Sequence, residues 1–234
     1  MTILLHGFWS GPASWNAVLE RLPLGVPVVA PDLLDGGELS PRYPLKDWAE
    51  NFWRWVDETV GEKQVQLVGY SMGGRLAACA ATKAPHRVSR ALFLSANPLQ
   101  PLEPADQRQA WENKWARKFL EQDWAELETE WQELPVFAGS ARVTRRKSPE
   151  MREILGLALT HWSPRLHPFT AEQVRALPST MEWAFGALDQ KYMKVAKSLQ
   201  ELPVQGQITV IPDAGHRLLA EASEFVSQWI GGGL

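Results

Sequence analysis

Short apolar runs rich in β-branched residues recur along the chain, and each ends near glycine, proline or aspartate. They cover residues 2–5, 26–30, 65–69, 91–95, 181–186 and 207–211, and such runs are typical of buried strands. Helical patterns cover residues 14–22, 45–60, 73–84 and 218–230. Strands that alternate with helices form a parallel sheet with helices on both faces. The pattern therefore predicts an α/β fold around a mostly parallel central sheet of about six strands.

The alternation stops in residues 98–177, where apolar positions follow a helical period and no strand is indicated. The large residues spaced by three or four are Trp111, Trp115, Phe119, Trp124, Leu127 and Trp131. Such a stripe usually belongs to a core, and it equally suits a lid whose apolar face closes a pocket over the strand ends. The two interpretations are compatible. We therefore divide the chain into a core, residues 1–97 and 178–234, and a helical lid, residues 98–177.

Composition and charge exclude several classes of protein. Of the 234 residues, 45% are hydrophobic and 22% charged, which excludes a disordered or fibrous chain. A net charge of −3 provides no positive electrostatic field that would attract a polyanion, so nucleic acid is not expected as a partner. No apolar run reaches the roughly 18 to 20 residues that span a bilayer, and the N-terminus lacks a secretory signal. The single cysteine, Cys79, is expected to be a small buried hydrophobe and suits a reducing compartment. We expect a cytoplasmic monomer or small homo-oligomer without membrane insertion.

Residues 69–73 read Gly-Tyr-Ser-Met-Gly, between a predicted strand and a predicted helix. This is the context that the G-x-S-x-G nucleophile elbow requires. The serine of such an elbow sits in a strained turn with its hydroxyl exposed, and the flanking glycines let strand and helix approach closely. Ser71 is therefore the candidate reactive residue.

A serine hydroxyl reacts only when a histidine takes its proton and a carboxylate holds that histidine. His216 follows the last predicted strand and Asp189 the strand before it, so both reach the edge that carries Ser71. The order serine, aspartate, histidine is that of α/β hydrolases. As structural alternatives, His216 could cap the last helix and Asp189 could be a helix N-cap. Asp213 is a competing acid, but it lies only three residues from His216 on the same loop.

Negative charge that develops in such a site needs preorganised backbone N–H groups. Two candidates exist for this oxyanion hole: Met72, directly after the serine, and Phe8, which follows a His-Gly pair at the end of the first strand. The alternative for the loop around Phe8 is an ordinary turn.

Other chemically interesting residues receive structural interpretations. The basic run 142–147 is interpreted as a solvated loop and His86 as structural, while His161 and His167 could lie on the lid surface or line a pocket. The sequence contains no Cys/His metal spacing, P-loop or dinucleotide fingerprint, so neither a metal nor an organic cofactor is expected.

With these residues the chain resembles the α/β hydrolase superfamily over its whole length, which implies an α/β-hydrolase fold with a helical lid insertion. Within it, the chain is most similar to the 2-succinyl-6-hydroxy-2,4-cyclohexadiene-1-carboxylate synthases, menaquinone-pathway lyases that eliminate pyruvate. The resemblance is carried by residues 68–75 including Arg75, by Asn97-Pro98 with Gln107-Arg108 and residues 115–120, by Trp131 with Pro-Val-Phe-Ala at 135–138, and by Arg152. The chain departs from this pattern in three places. Residues 34–37 replace the usual Gly-His-Gly turn, and Pro98 is not followed by the expected glycine. Residues 157–177 show little similarity.

Three arginines can also be interpreted without the family. If Arg75, Arg108 and Arg152 faced one cavity, they would be costly to desolvate beside a neutral ester, so that cavity should bind carboxylates. Singly, each could equally lie at the surface and pair with an acid. The substrate that the resemblance implies has three carboxylates, so we expect a small-molecule polycarboxylate as the partner.

The resemblance implies a lyase that eliminates pyruvate from 2-succinyl-5-enolpyruvyl-6-hydroxy-3-cyclohexene-1-carboxylate. Ser71, activated by the histidine and the aspartate, would act as the base that removes a carbon-bound proton, while Tyr70, Trp131 and Phe137 would form an apolar wall that excludes water. One alternative is a carboxylesterase or thioesterase with Ser71 as nucleophile. Another is a non-catalytic binding module that keeps the hydrolase shell.

Overall fold

The computed structural model of the chain describes residues 1–61 and 63–232. Within these residues one sheet contains the strands β1 (Thr2–Leu5), β2 (Val28–Val29), β3 (Val65–Tyr70), β4 (Val88–Leu94), β5 (Met181–Gly186) and β6 (Ile208–Ile211). Their order is β2-β1-β3-β4-β5-β6, and every neighbouring pair is parallel. The predicted α/β fold with a parallel sheet of about six strands is confirmed. Because all strands run the same way, the loops that leave their carboxyl ends meet at one edge.

The strand predicted at residues 26–30 is only two residues long. Pro27 and Pro31 flank Val28–Val29, and proline has no N–H to add to a ladder. The strand therefore remains a short edge strand that pairs with β1. In contrast, β4 begins at Val88, three residues before its predicted start.

Helices cover both faces of the sheet. The described α-helices are α1 (Asn16–Leu19), α2 (Leu45–Trp55), α3 (Met72–Lys83), α4 (Ala105–Glu121), α5 (Trp124–Gln132), α6 (Pro149–His161), α7 (Ala171–Arg175), α8 (Gln190–Glu201), α9 (Leu218–Glu221) and α10 (Ser223–Ile230). Helices α1, α9 and α10 share one apolar cluster, and α2, α3 and α8 contribute to the other. No described helix combines the length and the apolar character needed to cross a bilayer.

Helix α8 is absent from the sequence prediction, although its apolar residues follow a helical period. Tyr192, Val195 and Leu199 recur at three and four residues, and Val195 and Leu199 are buried. The polar residues between them interrupt this short stripe, so the sequence pattern alone does not indicate the helix.

Residues 98–177 contain α4 to α7, and the structure describes no strand among them. Trp115, Phe119, Leu127 and Trp131 of the predicted stripe are buried. They belong to the same apolar cluster as α2 and α3 of the core, because the lid packs its apolar face onto the core instead of forming a separate cluster. The division into core and lid stays a prediction.

Candidate active site

The elbow after β3 holds Ser71 in a strained conformation. Its backbone has φ 53° and ψ −110°, and such a conformation costs a non-glycine residue on the order of 1 to 3 kcal/mol. A Cβ on Gly69 would lie 2.4 Å from the Gly73 carbonyl oxygen, and one on Gly73 would lie 2.1 Å from that of Leu5. Both glycines are therefore required for α3 to start this close to the sheet. A 2.8 Å hydrogen bond from the Ser71 N–H to the Leu94 carbonyl anchors the turn to β4.

Hydrogen bonds join three side chains from separate loops. The Ser71 hydroxyl donates to Nε2 of His216 over 3.0 Å, and Nδ1 of His216 donates to Oδ2 of Asp189 over 2.6 Å. A carboxylate can only accept, so the imidazole proton lies on Nδ1 and Nε2 can take the serine proton. His216 and Asp189 are 3% and 2% exposed, which shields this arrangement from water. The three residues have the geometry of a Ser-His-Asp triad.

Asp189 combines both interpretations that its sequence position allowed. Its Oδ1 accepts the Tyr192 N–H over 3.1 Å as the N-cap of α8, while its Oδ2 accepts from His216. The competing acid Asp213 is exposed. Asp189 is therefore the acid that orients the histidine.

The loop after β1 is fixed by a buried histidine. His6 donates through Nδ1 to the Gly7 carbonyl over 2.8 Å and accepts at Nε2 from the Leu33 N–H over 2.9 Å. The Gly7 carbonyl belongs to the same peptide group as the Phe8 N–H. His6, which is fully buried, therefore orients one predicted oxyanion donor.

Both predicted oxyanion residues lie at the site. Phe8 and Met72 line a cavity together with Ser71, and the Met72 N–H at the first position of α3 has no acceptor within the helix. The next residue of the loop, Trp9, is fully buried at φ 50°, which is a strained conformation for a bulky side chain. The surrounding contacts must hold this loop in place.

The cavity above Ser71 and His216 has a volume of about 510 Å³. The three residues of the predicted apolar wall, Tyr70, Trp131 and Phe137, all line it. The ring centres of Tyr70 and Phe137 each lie 5.7 Å from that of His216. Burial raises the pKa of Tyr70, so its hydroxyl stays protonated. Trp131 is also buried, so the lid stripe is both core and pocket wall.

Arg75 lines the cavity as predicted and is buried. It donates to the Trp162 carbonyl over 2.9 Å and to Nε2 of His167 over 3.3 Å, and in the described part of the chain it pairs with no carboxylate. Burial, together with the charge of Arg75, lowers the pKa of His167 to about 3. His167 is therefore a neutral acceptor that steadies the guanidinium.

Arg108 also lines the cavity, but acids already neutralise it. Its Nη1 lies 3.1 Å from Glu103 and its Nε 2.6 Å from Glu112. The Glu112 side chain is fully buried and also accepts from Ser163 over 2.7 Å and from Arg165 over 3.3 Å. Arg108 therefore contributes less free positive charge to the cavity than Arg75 does.

The structure corrects the interpretation of the basic run 142–147 at one residue. Arg145 lines the cavity and donates through Nη1 to the carbonyls of Phe8 and Trp9 over 3.3 and 3.2 Å. It forms no ion pair with an acid in the described residues. No local sequence signal distinguishes it from its neighbours, because only the folded path of the loop brings it to the site.

Arg152 does not lie where the resemblance suggested. It is not among the described residues that line the cavity. Its guanidinium donates to the carbonyls of Phe119 and Gln122 over 2.8 Å each and stacks 4.2 Å from the Trp124 ring centre. These contacts join α6 to α4 and α5, so Arg152 has a packing role here.

Two further cavity residues were missed by the sequence interpretation. Lys191 and Tyr192 line the cavity from the first turn of α8, directly after Asp189. The Lys191 amino group lies 3.6 Å from Glu103. Recognition of helix α8 would have pointed to both.

Three further histidines, His86, His161 and His167, are not among the described residues that line the cavity. Nδ1 of His161 donates to the Pro41 carbonyl over 2.8 Å, and His86 is exposed. Cys79 is buried, as expected. Across residues 1–61 and 63–232, no three His, Cys, Asp or Glu side chains cluster as a metal site.

The strained serine at the elbow, the histidine and acid from later loops, and the parallel sheet beneath them define one class of protein. The chain belongs to the alpha/beta hydrolase family, whose profile it matches over residues 2–229. It is 28% identical to a putative 2-succinyl-6-hydroxy-2,4-cyclohexadiene-1-carboxylate synthase of Bacillus subtilis, over 94% of this chain and 84% of the relative. It is also 31% identical to a pimeloyl-[acyl-carrier protein] methyl ester esterase of Aromatoleum aromaticum, over 47% of this chain and 42% of the relative.

A structural comparison gives the same fold. The structure of MenH from S. aureus superposes with a TM-score of 0.83 over 100% of this chain and 92% of that protein, at 21% identity. At this identity the likeness concerns the fold.

Proposed function

We propose that the chain is a lyase that eliminates pyruvate from 2-succinyl-5-enolpyruvyl-6-hydroxy-3-cyclohexene-1-carboxylate, with the Ser-His-Asp triad as the base. The observation that carries the proposal is the charge of the cavity. Ser71 shares it with Arg75 and Arg145, two arginines that pair with no acid in the described residues. A desolvated cation without a carboxylate partner is costly unless the ligand supplies one. The name of the Bacillus subtilis relative, a putative synthase of 2-succinyl-6-hydroxy-2,4-cyclohexadiene-1-carboxylate, supports the same reaction because this compound is the ring product of the proposed elimination.

The cations suit a ligand with several carboxylates. Arg75 and Arg145 supply unpaired charge, while Lys191 and Arg108 add charge that Glu103 partly balances. Arg145 forms no ion pair in the described residues, so a ligand carboxylate in the cavity would be its charged partner. Arg152 is not among the described residues that line the cavity, so we leave it out of the proposed binding set.

The proposed reaction uses the triad for proton transfer. His216, oriented by Asp189, takes the Ser71 proton, and the serine oxygen removes a carbon-bound proton of the ring. The electron pair of that C–H bond forms the second ring double bond, and the bond between the ring carbon and the enolpyruvyl oxygen breaks. The leaving enolate takes up the proton that His216 holds and becomes pyruvate. The N–H groups of Phe8 and Met72 would stabilise the negative charge on the conjugated carbonyl oxygen.

A coupled assay of pyruvate release tests the proposal. The wild-type chain is expected to release pyruvate from the enolpyruvyl substrate, and Ser71→Ala to release none above background. Arg75→Gln should raise KM tenfold or more, because one charge-assisted contact to a carboxylate contributes about 1.5 to 3 kcal/mol. Arg152→Gln is the matched control and should leave KM within twofold, even where it lowers the melting temperature.

A carboxylesterase or thioesterase is the second candidate, and the esterase name of the Aromatoleum aromaticum relative favours it. In that case Ser71 would attack an acyl carbon and form an acyl-enzyme. Rapid hydrolysis of p-nitrophenyl acetate without pyruvate release would establish this candidate in place of the lyase. A cytoplasmic location and a monomeric or small homo-oligomeric state stay predictions.

A further inference from the structure

The lid contacts the loop after β1 through two consecutive arginines. Arg145 donates to the carbonyls of Phe8 and Trp9 over 3.3 and 3.2 Å. The adjacent Arg146 carbonyl accepts the Trp9 indole N–H over 2.7 Å, and the Arg146 guanidinium lies 2.5 Å from Asp32. Residues 140–148 contain no regular helix or strand, so side-chain contacts decide where this segment lies.

These contacts fall where the loop most needs them. The Trp9 backbone is strained at φ 50°, and a strained residue persists only where its surroundings hold it. His6 fixes the peptide group before Phe8 from the core side. Arg145 binds the next two carbonyls from the lid side. His6 therefore holds the peptide group that contains the Phe8 N–H, and Arg145 holds the two peptide groups that follow it, so Phe8 is fixed on both sides.

The guanidinium is suited to this task. It lies 5.9 Å from the Trp9 ring centre and 5.7 Å from the Phe137 ring centre, so its orientation is restricted between aromatic rings. Burial lowers the pKa of Arg145 to about 10, which leaves the group charged at neutral pH.

We infer that Arg145 is a positioning residue, which holds the Phe8 N–H in the oxyanion hole from the lid and so makes the reactivity of Ser71 depend on a docked lid. This inference rests on the proposed oxyanion role of Phe8 but not on the identity of the substrate. It applies to the lyase and to the esterase alike.

The test measures the rate at which an alkyl fluorophosphonate labels Ser71. The probe carries no carboxylate, so its rate does not depend on substrate charge. Arg145→Gln is expected to slow labelling tenfold or more, because loss of one oxyanion donor costs 10²–10³ in rate and displacement costs part of that. Arg145→Lys should recover part of the rate, since an ammonium can still donate to the carbonyls. Arg142→Gln, at an exposed arginine of the same segment, should stay within twofold of the wild type.

Hydrogen exchange supplies a readout that is independent of catalysis. The backbone amides of residues 6–10 should exchange faster in Arg145→Gln than in the wild type, and those of α10 should not change. Wild-type labelling and exchange in Arg145→Gln would overturn the inference, as would an increase in KM for a carboxylate substrate alone. Should Arg145→Gln fail to fold, Arg145→Met, which keeps the length of the side chain but has no donor, takes its place, and wild-type labelling and exchange in that variant would overturn the inference instead. If the probe labels Ser71 of the wild type but the wild type releases no pyruvate, the lyase proposal is refuted, and the labelling comparison still tests the role of Arg145.

Discussion

At the scale of single residues, Asp189 shows how one side chain can serve the fold and the site together. One carboxylate oxygen caps α8 and the other holds His216. A sequence interpretation treats cap and triad acid as competitors because each explains the aspartate alone. The two oxygens of a carboxylate allow both.

The two roles of Asp189 can be separated by substitution. Asp189→Asn keeps an oxygen for the cap but presents the wrong donor pattern to His216, so turnover should fall about 10⁴-fold with little change in stability. Asp189→Ala should lose the same activity and in addition destabilise the protein by about 1 kcal/mol through the lost cap. Steady-state kinetics and urea denaturation of both variants measure the two effects. Retention of more than a tenth of the activity in Asp189→Asn would contradict the triad role.

The residues that the sequence could identify are those tied to a local pattern. Ser71, Asp189 and His216 each follow a recognisable strand, and parallel strands bring such positions to one edge. Arg152 and Arg145 lack that constraint, because each lies on a lid segment whose orientation depends on distant contacts. The resemblance therefore favours Arg152, whereas Arg145 is the residue that lines the cavity.

At the scale of elements, the buried carboxylate of Glu112 joins two parts of the lid. It lies on α4 and binds Ser163 and Arg165 in the turn after α6, besides Arg108 of its own helix. Sequence alone places Glu112 on a charged helix and gives no reason to bury it. Three donors converge on the carboxylate only after the helices have packed.

Removal of this carboxylate should destabilise the lid. Glu112→Ala leaves two arginines without their buried partner, which typically costs about 3 to 5 kcal/mol. Glu103→Ala, whose side chain is 28% exposed, should cost less than about 1 kcal/mol. Urea denaturation of the two variants measures the difference. Equal effects would mean that the buried Glu112 network contributes no more than the partly exposed pairs of Glu103.

At the scale of the whole molecule, the strand and helix periods predicted the six strands of the sheet and most of the helices that follow them along the chain. The predictions failed where a pattern was short or polar, as in the two-residue β2 and in α8. The loops of the lid lacked any period, and their positions follow from packing against the core.

Stability should depend on pH through His167. Its pKa is about 3 in the folded chain against an ordinary value near 6.5 in the unfolded chain. The unfolded state therefore binds a proton at His167 more readily than the folded state does. The contribution of His167 to the free energy of unfolding is fully present above pH 6.5 and is lost as the pH falls towards 3. This one group should remove up to about 1.4 kcal/mol per pH unit below pH 6.

The comparison uses urea denaturation at pH 7 and pH 5. His167→Gln should flatten the loss of stability that the wild type undergoes between these values, whereas His86→Gln, at an exposed histidine, should reproduce the wild-type slope. Carboxylates ordinarily titrate below this range. An unchanged slope in His167→Gln would mean that another group is responsible.

The rings of Phe8 and Trp9 pack against Phe119 and Trp131, with ring centres 4.9 to 6.1 Å apart. A shortened version of the chain that lacked residues 98–177 would uncover these rings and release the peptide groups that follow the first strand. The lid is therefore needed to hold the loop after β1 in place. Efforts to accommodate bulkier compounds should therefore exchange single side chains that line the cavity, such as Val136 or Trp111, and leave the backbone intact.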